Sequence, residues 1–439
     1  MKLIIKLEKF LSFRTHLLVG LAFSLPLARR IASPIFVGWV IVTCLHFWLN
    51  KGWRINVEFR RYPLILLFLP LVYYGLNVIG LIHTTDLHQG LFELEKKISL
   101  LVLPVLFLFD REALTAFWIR RVFWGFCAGL ALMSTISIGL GFYHSLSWVN
   151  GHLVFRTAVN DISYERGYTF FQQVTQGGNY FFDQYISPFM HTTYYGMYLS
   201  FGIIISIWLS RFQKKKILNY IIAGVFLVVM VFSDSRGAIL SFVLTLLVLG
   251  LLFIKGKYTR YGLPALMVVL LSVILLSPRT VLLFEDLGKT IKGINYESQE
   301  SAALRIIVWK SSLEVIGENY LVGVGTGDAE IALLSKTQRI NKMAFENKLN
   351  AHNEYLQTFI TLGVAGFVVL STLLLMSFFY AVRTDEAEFA AFLMIVGFNM
   401  LFESLLETFQ GIMFVSLFFS AMILYLFGKQ NESTLTGRP

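Results

Sequence analysis

The stretch Asn350-Ala351-His352-Asn353-Glu354-Tyr355-Leu356 separates two very different parts of the chain. A long polar segment, residues 278–362, surrounds and precedes it, and an apolar run, Val364 to Phe379, opens just after it. If the segment turns helical at His352, then His352, Tyr355 and Phe359 lie along one face. The cluster either caps and solvates the end of a membrane helix or supplies polar chemistry at its mouth.

The composition indicates a membrane protein. Of the 439 residues, 56% are hydrophobic and 15% are charged, which is more apolar surface than a soluble domain can bury. The 41 Phe and 19 Tyr suit a bilayer and its interfaces. The net charge of +10 does not indicate nucleic-acid binding, because many of the cations lie in short loops beside apolar runs. Cys44 and Cys127 both lie inside apolar runs, so neither a disulfide framework nor a zinc site is expected.

The chain contains about twelve apolar runs of membrane-spanning length, which predicts an all-α polytopic membrane protein. The predicted spans are 10–28, 31–50, 62–82, 97–109, 121–144, 188–210, 217–234, 237–254, 261–277, 363–382, 388–406 and 411–428. The basic N-terminal segment leads into the first span without a small-residue cleavage pattern. We therefore expect this segment to be retained rather than removed as a signal peptide.

The cations of the short loops predict the orientation of the chain. They collect in alternate connections, at Lys51 to Arg61, Arg111 to Arg121, Arg211 to Lys216 and Lys255 to Arg260, which places both termini in the cytoplasm. Arg29 and Arg30 lie on the opposite side, but the remaining pattern outweighs them.

This topology predicts four regions. Residues 1–277 form spans one to nine, with an extracytoplasmic loop at about 145–187. Residues 278–362 form a large extracytoplasmic loop before the tenth span, residues 363–428 form spans ten to twelve, and residues 429–439 form a cytoplasmic tail.

The large loop has helical patterns of its own. Apolar residues recur at helical spacing from Leu304 to Glu318, which predicts a helix on the membrane surface, and a second amphipathic helix is predicted from Asp328 to Lys336. Between them, Gly323, Gly325 and Gly327 predict a tight backbone turn. No strand precedes these glycines, so the pattern is not a dinucleotide-binding fingerprint.

Two arginines are candidates for binding an anion because of their positions in the sequence. Arg236 follows Asp234 in a tight hairpin between predicted spans seven and eight, where it binds an anion, snorkels to the interface or pairs with Asp234. Arg305 lies four residues before Trp309 and binds an anion, faces water or stacks on the indole ring. Together with His352, the two guanidinium groups suit a diphosphate, because they offer bidentate donors of fixed charge beside a titratable base.

Four stretches stand in an order and spacing typical of one membrane-protein family. They are Ser235-Arg236-Gly237, Arg305 followed by Trp309, the glycine-rich stretch from Asn319 to Gly327, and His352 to Leu356 followed by Gly363 and Gly366. In these stretches, and in its layout over nearly its whole length, the sequence resembles the O-antigen ligase-like membrane proteins. The pair Lys96-Lys97 before an apolar run also looks like this family.

The resemblance implies a metal-independent, cofactor-free glycosyltransferase of the GT-C type, with its active site at the periplasmic face of the bacterial inner membrane. The implied donor is a glycan on undecaprenyl diphosphate. The implied acceptor is lipid A–core oligosaccharide in ligases, or another lipid-linked repeat unit in the related polymerases. The catalytic residues would be His352, as general base on the acceptor hydroxyl, with Arg305 and Arg236, which would also hold the donor diphosphate. Membrane lipids are expected partners and nucleic acid is not.

Further side chains are candidates for binding the diphosphate or the sugar. They are Asn353, Tyr355, His191, Glu403 and Glu407. His191 either lines the cavity or anchors a span at the interface. Glu403 and Glu407, at i and i+4, meet a sugar, pair with an arginine or cap a helix. Family members often carry an acidic residue two positions before the first glycine, where this chain has Thr361, so any acidic helper would be Glu354, Glu403 or Glu407.

Other functions remain open at this stage. Arg156 and Gly167 fit a spacing typical of polymerases, but about one such match is expected by chance, and the stretch at His352 looks closer to ligases. A transporter of lipid-linked glycans is a second alternative, although the polar residues gather at one face rather than near the midplane and no internal repeat is visible. A structural assembly subunit is a third. No spaced acidic motif indicates a metal site.

Overall fold

The computed structural model describes residues 2–49, 62–110, 115–149, 151–155, 180–181, 183–253 and 301–436, with single helical positions at 262, 265, 268 and 272. The predicted ninth span lies almost entirely outside the described residues. The predicted loop segment 278–300, Arg156 and Gly167 lie outside them as well.

The described chain is mostly helical. Its α-helices are α1 (Lys2–Ser24), α2 (Arg29–Leu49), α3 (Tyr62–Leu66), α4 (Phe68–Ile79), α5 (Leu87–Lys97), α6 (Ser99–Asp110), α7 (Ala116–Ser145), α8 (Thr192–Leu209), α9 (Ile217–Phe232), α10 (Arg236–Phe253), α11 (Ser301–Asn319), α12 (Ala329–Thr337), α13 (Lys342–Glu346), α14 (Glu354–Arg383), α15 (Ala387–Asn399) and α16 (Phe409–Thr436). Short 3₁₀ turns lie at Gly80–His83, Asp183–Ile186, Ser210–Phe212 and Leu405–Glu407. An antiparallel hairpin of β1 (Leu146–Val149) and β2 (His152–Phe155) pairs Leu146 with Phe155.

Within the described residues, seven helical segments are long and apolar enough to cross a membrane. They are Arg29–Leu49, Tyr62–His83, Ala116–Ser145, Thr192–Phe212, Arg236–Phe253, Glu354–Arg383 and Phe409–Phe427. Two further apolar helices, α9 and α15, are shorter. The prediction of a polytopic, mainly α-helical membrane protein is therefore confirmed, with the hairpin as a small β element in the loop expected at 145–187. The count of twelve spans stays a prediction.

The chain forms two compact units. One unit comprises residues 15–39 and 120–274, and its described core is α8, whose Tyr195, Tyr198 and Phe201 are fully buried. In this unit α1 and α7 approach closely, because a Cβ atom at Gly125 or Gly129 would overlap backbone carbonyl groups of α1. Small residues four apart are a usual way to bring membrane helices into contact.

The other unit comprises residues 1–14, 40–119 and 275–439. It contains α4 to α6 and all of the helices from α11 to α16. In this unit α14 packs against α4, α11 and α15, while α16 packs against α6. His352, Arg305, Glu403 and Glu407 all belong to this unit.

The helix α14 is broken inside the apolar part of the chain, at Gly363. This residue has φ 62° and ψ −157°, so the backbone leaves the helix for one residue and then resumes it. The sequence analysis placed the start of the tenth span at the same glycine. The break frees peptide groups that an uninterrupted helix would pair, and an apolar surrounding requires partners for them.

The glycine-rich loop supplies those partners. Val324 N donates to Ile360 O at 2.8 Å, and Gly325 N donates to Thr361 O at 3.1 Å. In return, Val364 N donates to Tyr320 O at 2.9 Å. The loop can approach this closely because Gly323, with φ 72°, has no side chain, and a Cβ atom there would lie 2.5 Å from the Thr361 carbonyl group. The predicted tight turn is therefore confirmed, and it serves to repair the break in α14.

The loop also makes hydrogen bonds to the end of α4 and to the N-terminal end of α5. Thr326 Oγ1 donates to Asn77 O at 2.6 Å, and Gly327 N donates to Thr84 Oγ1 at 2.8 Å. The carboxylate of Asp328 accepts from Thr85 N at 2.6 Å and from Asp86 N at 2.9 Å. Burial raises the pKa of Asp328, but these hydrogen bonds outweigh burial and hold it below its ordinary value. Asp328 thus has a structural role in this loop.

The segment before α14 has a hydrophobic core of its own. The predicted helix at 304–318 is confirmed as α11, and the predicted helix at 328–336 is confirmed as α12. Their apolar faces meet α13 and the first turns of α14 in one cluster. The buried members are Leu304, Val308, Val315, Ala329, Leu333, Ala344, Ala351 and Ile360. This core packs the polar segment against the start of α14, directly after His352.

Replacement of Gly323 by Ala tests the repair of the helix break. A left-handed backbone costs an ordinary residue about 1–2 kcal/mol, and the added methyl group would also collide with Thr361, so we expect a clear drop in Tm for Gly323→Ala in detergent. Gly317→Ala is the matched control, because Gly317 lies in α11 with open space around it, and there Ala should stabilise the helix by about 0.5–1 kcal/mol. Equal Tm values for the two variants would contradict this account.

Candidate functional site

His352 lies in a tight turn in front of α14, not in the helix. Its backbone has φ 44°, a left-handed conformation that is uncommon for a residue with a side chain. The helix begins two residues later at Glu354, and Asn353 caps it by accepting from Leu356 N at 3.1 Å. The segment therefore does not turn helical at His352, and the condition under which His352, Tyr355 and Phe359 would lie along one face is not met. Asn353, as the N-cap of α14, ends the turn.

The turn is held by side chains on both sides of Ala351. The Ala351 N–H donates to Gln357 Oε1 at 3.3 Å, and the Ala351 carbonyl accepts from Trp309 Nε1 at 3.0 Å. The N–H of His352 itself donates to Asn350 Oδ1 at 2.9 Å. A strained backbone persists only where its surroundings fix it, and strain of this kind gathers at functional sites. The three side chains therefore hold His352 in a conformation that it would not adopt alone.

The imidazole of His352 faces the carboxylate of Glu403. The distance from Nδ1 to Glu403 Oε1 is 3.4 Å, which is within ion-pair distance, although the angle is not that of a hydrogen bond. Glu403 has a side chain that is 6% exposed, and that of His352 is 23% exposed. A buried carboxylate beside Nδ1 favours a proton on this nitrogen and leaves the lone pair on Nε2.

Another acidic residue, Glu354, fixes the turn that carries Glu403. Glu354 is fully buried, and its Oε2 accepts from Leu406 N at 2.7 Å. Its own N–H donates to Met400 O at 2.8 Å, and its Oε1 accepts from Thr358 Oγ1 at 2.9 Å. The segment 400–407 is thus bonded at both ends to the first residue of α14, which keeps Glu403 beside His352.

Glu403 and Glu407 do not share a helical face. The helix α15 ends at Asn399, seven residues before the predicted end of the eleventh span, and Glu407 ends a separate 3₁₀ turn. The expectation that the two glutamates are i, i+4 neighbours on one helix is therefore wrong. Glu403 faces His352, whereas Glu407 accepts from Lys97 Nζ at 2.9 Å. The partners of the two carboxylates are thus a histidine and a lysine.

Lys97 is the centre of a buried group of charges. Its ammonium is 2.9 Å from Glu407 Oε1 and 3.0 Å from Glu93 Oε2, and its side chain is only 3% exposed. Lys96 also pairs with Glu93, at 2.6 Å, and lies 3.8 Å from Glu407. The two lysines and the two glutamates balance, which is the usual condition for burying charge.

The pKa values follow from burial and from this pairing. Burial lowers the pKa of Lys97, but Glu407 and Glu93 outweigh burial, so the pKa is raised and the lysine stays charged. Burial raises the pKa of Glu93, but Lys97 and Lys96 bring it below its ordinary value. For Glu407 burial prevails over the lysines, and its pKa is raised. The group therefore holds α5 to the turn at 405–407 by charge.

Arg305 lies one helical turn before Trp309 on α11, and Trp309 contacts the His352 turn. It is half-buried and precedes Trp309 by four residues, so that the two side chains share a face of the helix. Trp309 bonds the carbonyl directly before His352. This arrangement brings a guanidinium group to the same region of the unit as the histidine.

Arg236 and His191 belong to the other unit. Arg236 is the first residue of α10, directly after a tight turn in which Asp234 has φ 47°, as the predicted hairpin requires. His191 is the N-cap of α8, and its Nδ1 accepts from Thr193 N at 3.4 Å. Each residue stands at the end of an apolar helix, where polar groups can reach water or a lipid headgroup.

Asn353 and Tyr355 both make hydrogen bonds within the protein. Asn353 caps α14, and Tyr355 OH donates to Gly397 O at 3.0 Å, which joins α14 to α15. These bonds explain both residue types by structure, and their contact with a substrate stays a prediction.

Sequence reasoning missed the group around Lys97 and the side chains that hold Ala351. One signal was present, because Glu93 precedes Lys96 by three residues and Lys97 by four, the spacing of helical ion pairs. The contact with Glu407, 310 residues further on, has no sequence signal.

Removal of Lys97 tests whether its charge holds this end of the unit together. Lys97→Met leaves two buried carboxylates to share Lys96, and we expect a loss of about 3–5 kcal/mol of unfolding free energy, seen as a large drop in Tm in detergent. Lys336→Met is the matched control. Lys336 pairs at 2.6 Å with Glu318, which is 60% exposed, and such pairs contribute about 0–1 kcal/mol. Similar losses for both variants would show that burial of the pair does not matter.

The comparisons with known proteins bear on the same region. No curated protein matches the chain. A family model described as O-antigen ligase matches residues 221–371, about a third of the chain, and this segment contains Arg236, Arg305 and His352. The family covers O-antigen ligases and polymerases, which are glycosyltransferase-like enzymes embedded in membranes that use lipid-linked glycans. Residues 221–371 are thus similar to the O-antigen ligase family, in agreement with the resemblance noted in the sequence.

Proposed function

We propose that the protein is an O-antigen ligase that transfers a glycan from undecaprenyl diphosphate to lipid A–core oligosaccharide. In this proposal it is an inverting, metal-independent glycosyltransferase of the GT-C type, in the bacterial inner membrane with its site at the periplasmic face. The observation that carries the proposal is the pair of His352 and Glu403, held in a strained turn at the end of a membrane helix. The match to the family model adds the substrate class.

His352 acts as the general base in this reaction. A sugar hydroxyl is a poor nucleophile at neutral pH, and a positioned base typically accelerates such a step by about 10²–10⁴. His352 Nε2 accepts the proton of the acceptor hydroxyl while the oxygen of that hydroxyl attacks the anomeric carbon of the donor. Glu403, beside Nδ1, orients the ring and stabilises the imidazolium that forms.

The leaving group is the lipid diphosphate. As the acceptor oxygen bonds to the anomeric carbon, the bond from that carbon to the phosphate oxygen breaks, and the diphosphate departs with the electron pair. In this proposal Arg305 stabilises the negative charge that develops, and Arg236 of the other unit is the second candidate for that role, since guanidinium groups bind phosphate oxygens in pairs and keep their charge. Attack from the opposite side inverts the anomeric configuration without a covalent intermediate.

Kinetics of purified variants test the base. With a lipid-linked glycan and lipid A–core, and without ATP or added metal, we expect His352→Ala to lower kcat by about 10²–10⁴ while donor binding is kept. Glu403→Gln should lower kcat by at least about ten-fold with KM unchanged, because it loses charge but not shape, and Glu403→Asp should recover part of the rate. The exposed residues His88 and Glu95, both on α5, provide the controls His88→Ala and Glu95→Gln. Near-normal turnover by His352→Ala would refute the assignment.

Deletion of the gene separates a ligase from a polymerase. A strain without the ligase should keep long polymer on its undecaprenyl carrier and lose it from lipopolysaccharide, as seen on gels of both fractions. Complementation with the wild-type gene is the control. If the strain instead shows single repeat units on lipid A–core, the missing step was polymerisation and the protein is a polymerase. Export of the intact donor by the purified protein in vesicles, without transfer, would indicate the transporter alternative.

A further inference from the structure

A polar cavity of about 260 Å³ opens beside the His352 turn, within the unit that contains α5 and α14. Its walls come from α5, from the loop at Thr326 and Gly327, from α12, and from the first turns of α14. Asn350 forms part of the wall, and the same side chain accepts the hydrogen bond of the His352 N–H. A ligand in this cavity would therefore contact the residue two positions before the proposed base.

The charges that line the cavity balance. The lining lysines are Lys96, Lys97 and Lys348, and the lining glutamates are Glu93, Glu330 and Glu407. Both Glu93 and Glu407 are already paired with lysines. A diphosphate would find no net positive charge here, and a divalent cation would have to compete with ammonium groups for the paired carboxylates. The cavity therefore favours an uncharged ligand that both donates and accepts hydrogen bonds.

Neutral polar atoms point to the same class of ligand. Gln357 lines the cavity and is only 6% exposed. Its Oε1 accepts from Ala351 N, whereas its Nε2 makes no hydrogen bond within the described part of the chain. This amide donor belongs to a side chain that lines the cavity, where a ligand hydroxyl can accept from it.

The cavity also offers an apolar wall. Phe92 lines it and is 44% exposed, and Lys96 Nζ lies over its ring, 5.3 Å from the centroid. A pyranose ring has hydroxyl groups at its edge and C–H groups on its faces, so it suits an aromatic wall beside fixed polar groups. Drug-sized ligands occupy about 300–1,000 Å³, and the smaller volume here limits the occupant to about one sugar ring of a longer chain.

We infer that this cavity is a binding subsite for an uncharged sugar of the acceptor, next to the hydroxyl group that His352 deprotonates. This inference rests on the proposed glycosyl transfer, because only that reaction requires a sugar hydroxyl beside the base. Gln357 donates to a ring substituent, Phe92 covers one face of the ring, and the ion pairs of Lys97 keep the walls in place. The diphosphate binds elsewhere, at the arginines.

Binding measurements with lipid-free probes test the subsite. The probes are dephosphorylated core oligosaccharide, the repeat-unit oligosaccharide released from its carrier by mild acid, and inorganic pyrophosphate, each titrated by NMR onto the purified full chain in nanodiscs. We expect Gln357→Ala and Phe92→Ala to weaken binding of the core oligosaccharide by about five-fold or more each and to leave pyrophosphate binding unchanged. Arg305→Lys should do the reverse.

Matched controls and a second variant keep the test decisive. Gln338 and Leu91 are exposed and lie outside the cavity wall, so Gln338→Ala and Leu91→Ala should bind both probes as the wild type does. Because Gln357 also holds Ala351, Phe92→Ala decides the outcome if Gln357→Ala does not fold. Unchanged saccharide binding in the folded variants, or no saccharide binding by the wild type, overturns the subsite.

The outcomes separate the subsite from the proposed function. Loss of transfer in His352→Ala together with unchanged saccharide binding in Phe92→Ala would leave the ligase standing and remove the subsite. Binding of the repeat-unit oligosaccharide in place of the core oligosaccharide, weakened by Phe92→Ala, would support the subsite and overturn the ligase in favour of the polymerase. Saccharide binding at Phe92 without any transfer would support the subsite as a binding site and overturn the enzyme.

Discussion

The break in α14 at Gly363 is the constraint on which the site depends. An apolar surrounding does not tolerate unpaired peptide groups, so a membrane helix can be broken only where another part of the chain supplies hydrogen bonds. Here the glycine-rich loop does so, with Val324 N and Gly325 N donating to the carbonyl groups of Ile360 and Thr361. The same exchange fixes the loop, and through it α11 and α12, against the first two turns of α14. The position of His352 in front of those turns follows from this backbone pairing.

Charge fixes the opposite wall of the site. The turn at 400–407 carries Glu403, and it has only short regular structure of its own. Three hydrogen bonds to buried residues hold it. Glu354 accepts from Leu406 N and donates its own N–H to Met400 O, and Lys97 donates to Glu407. Removing one member would leave a buried charge or a buried peptide group without a partner, and that penalty makes the arrangement rigid. A base needs this rigidity, because an imidazole that turns away from the acceptor contributes nothing to the rate.

Local patterns in the sequence were sufficient for much of the fold. The helices α11 and α12 follow from apolar residues at helical spacing, and the turn before α10 follows from the short gap between two apolar runs. Gly363 was expected as the start of a span, whereas it breaks a helix that begins nine residues earlier at Glu354. The conformation of His352 did not follow, because its left-handed backbone is imposed by Asn350, Gln357 and Trp309 rather than by its neighbours in the sequence. Glu403 and Glu407 were expected on one helical face, since nothing in the residues after Asn399 shows that the helix ends there. Contacts such as that between Lys97 and Glu407 depend on the packed structure alone.

The two kinds of polar chemistry near His352 have different physical requirements, and the chain keeps them apart. A diphosphate is recognised by positive charge and by paired N–H donors, which arginine supplies. A sugar is recognised by neutral donors and acceptors at fixed positions, and free charge nearby would attract phosphate in its place. In the cavity beside the turn, pairing of Lys96 and Lys97 with Glu93 and Glu407 cancels the charge while leaving the wall polar. The lysine pair is therefore better understood as structural support for a neutral pocket than as part of an anion site, even though lysines near a membrane surface usually suggest the opposite.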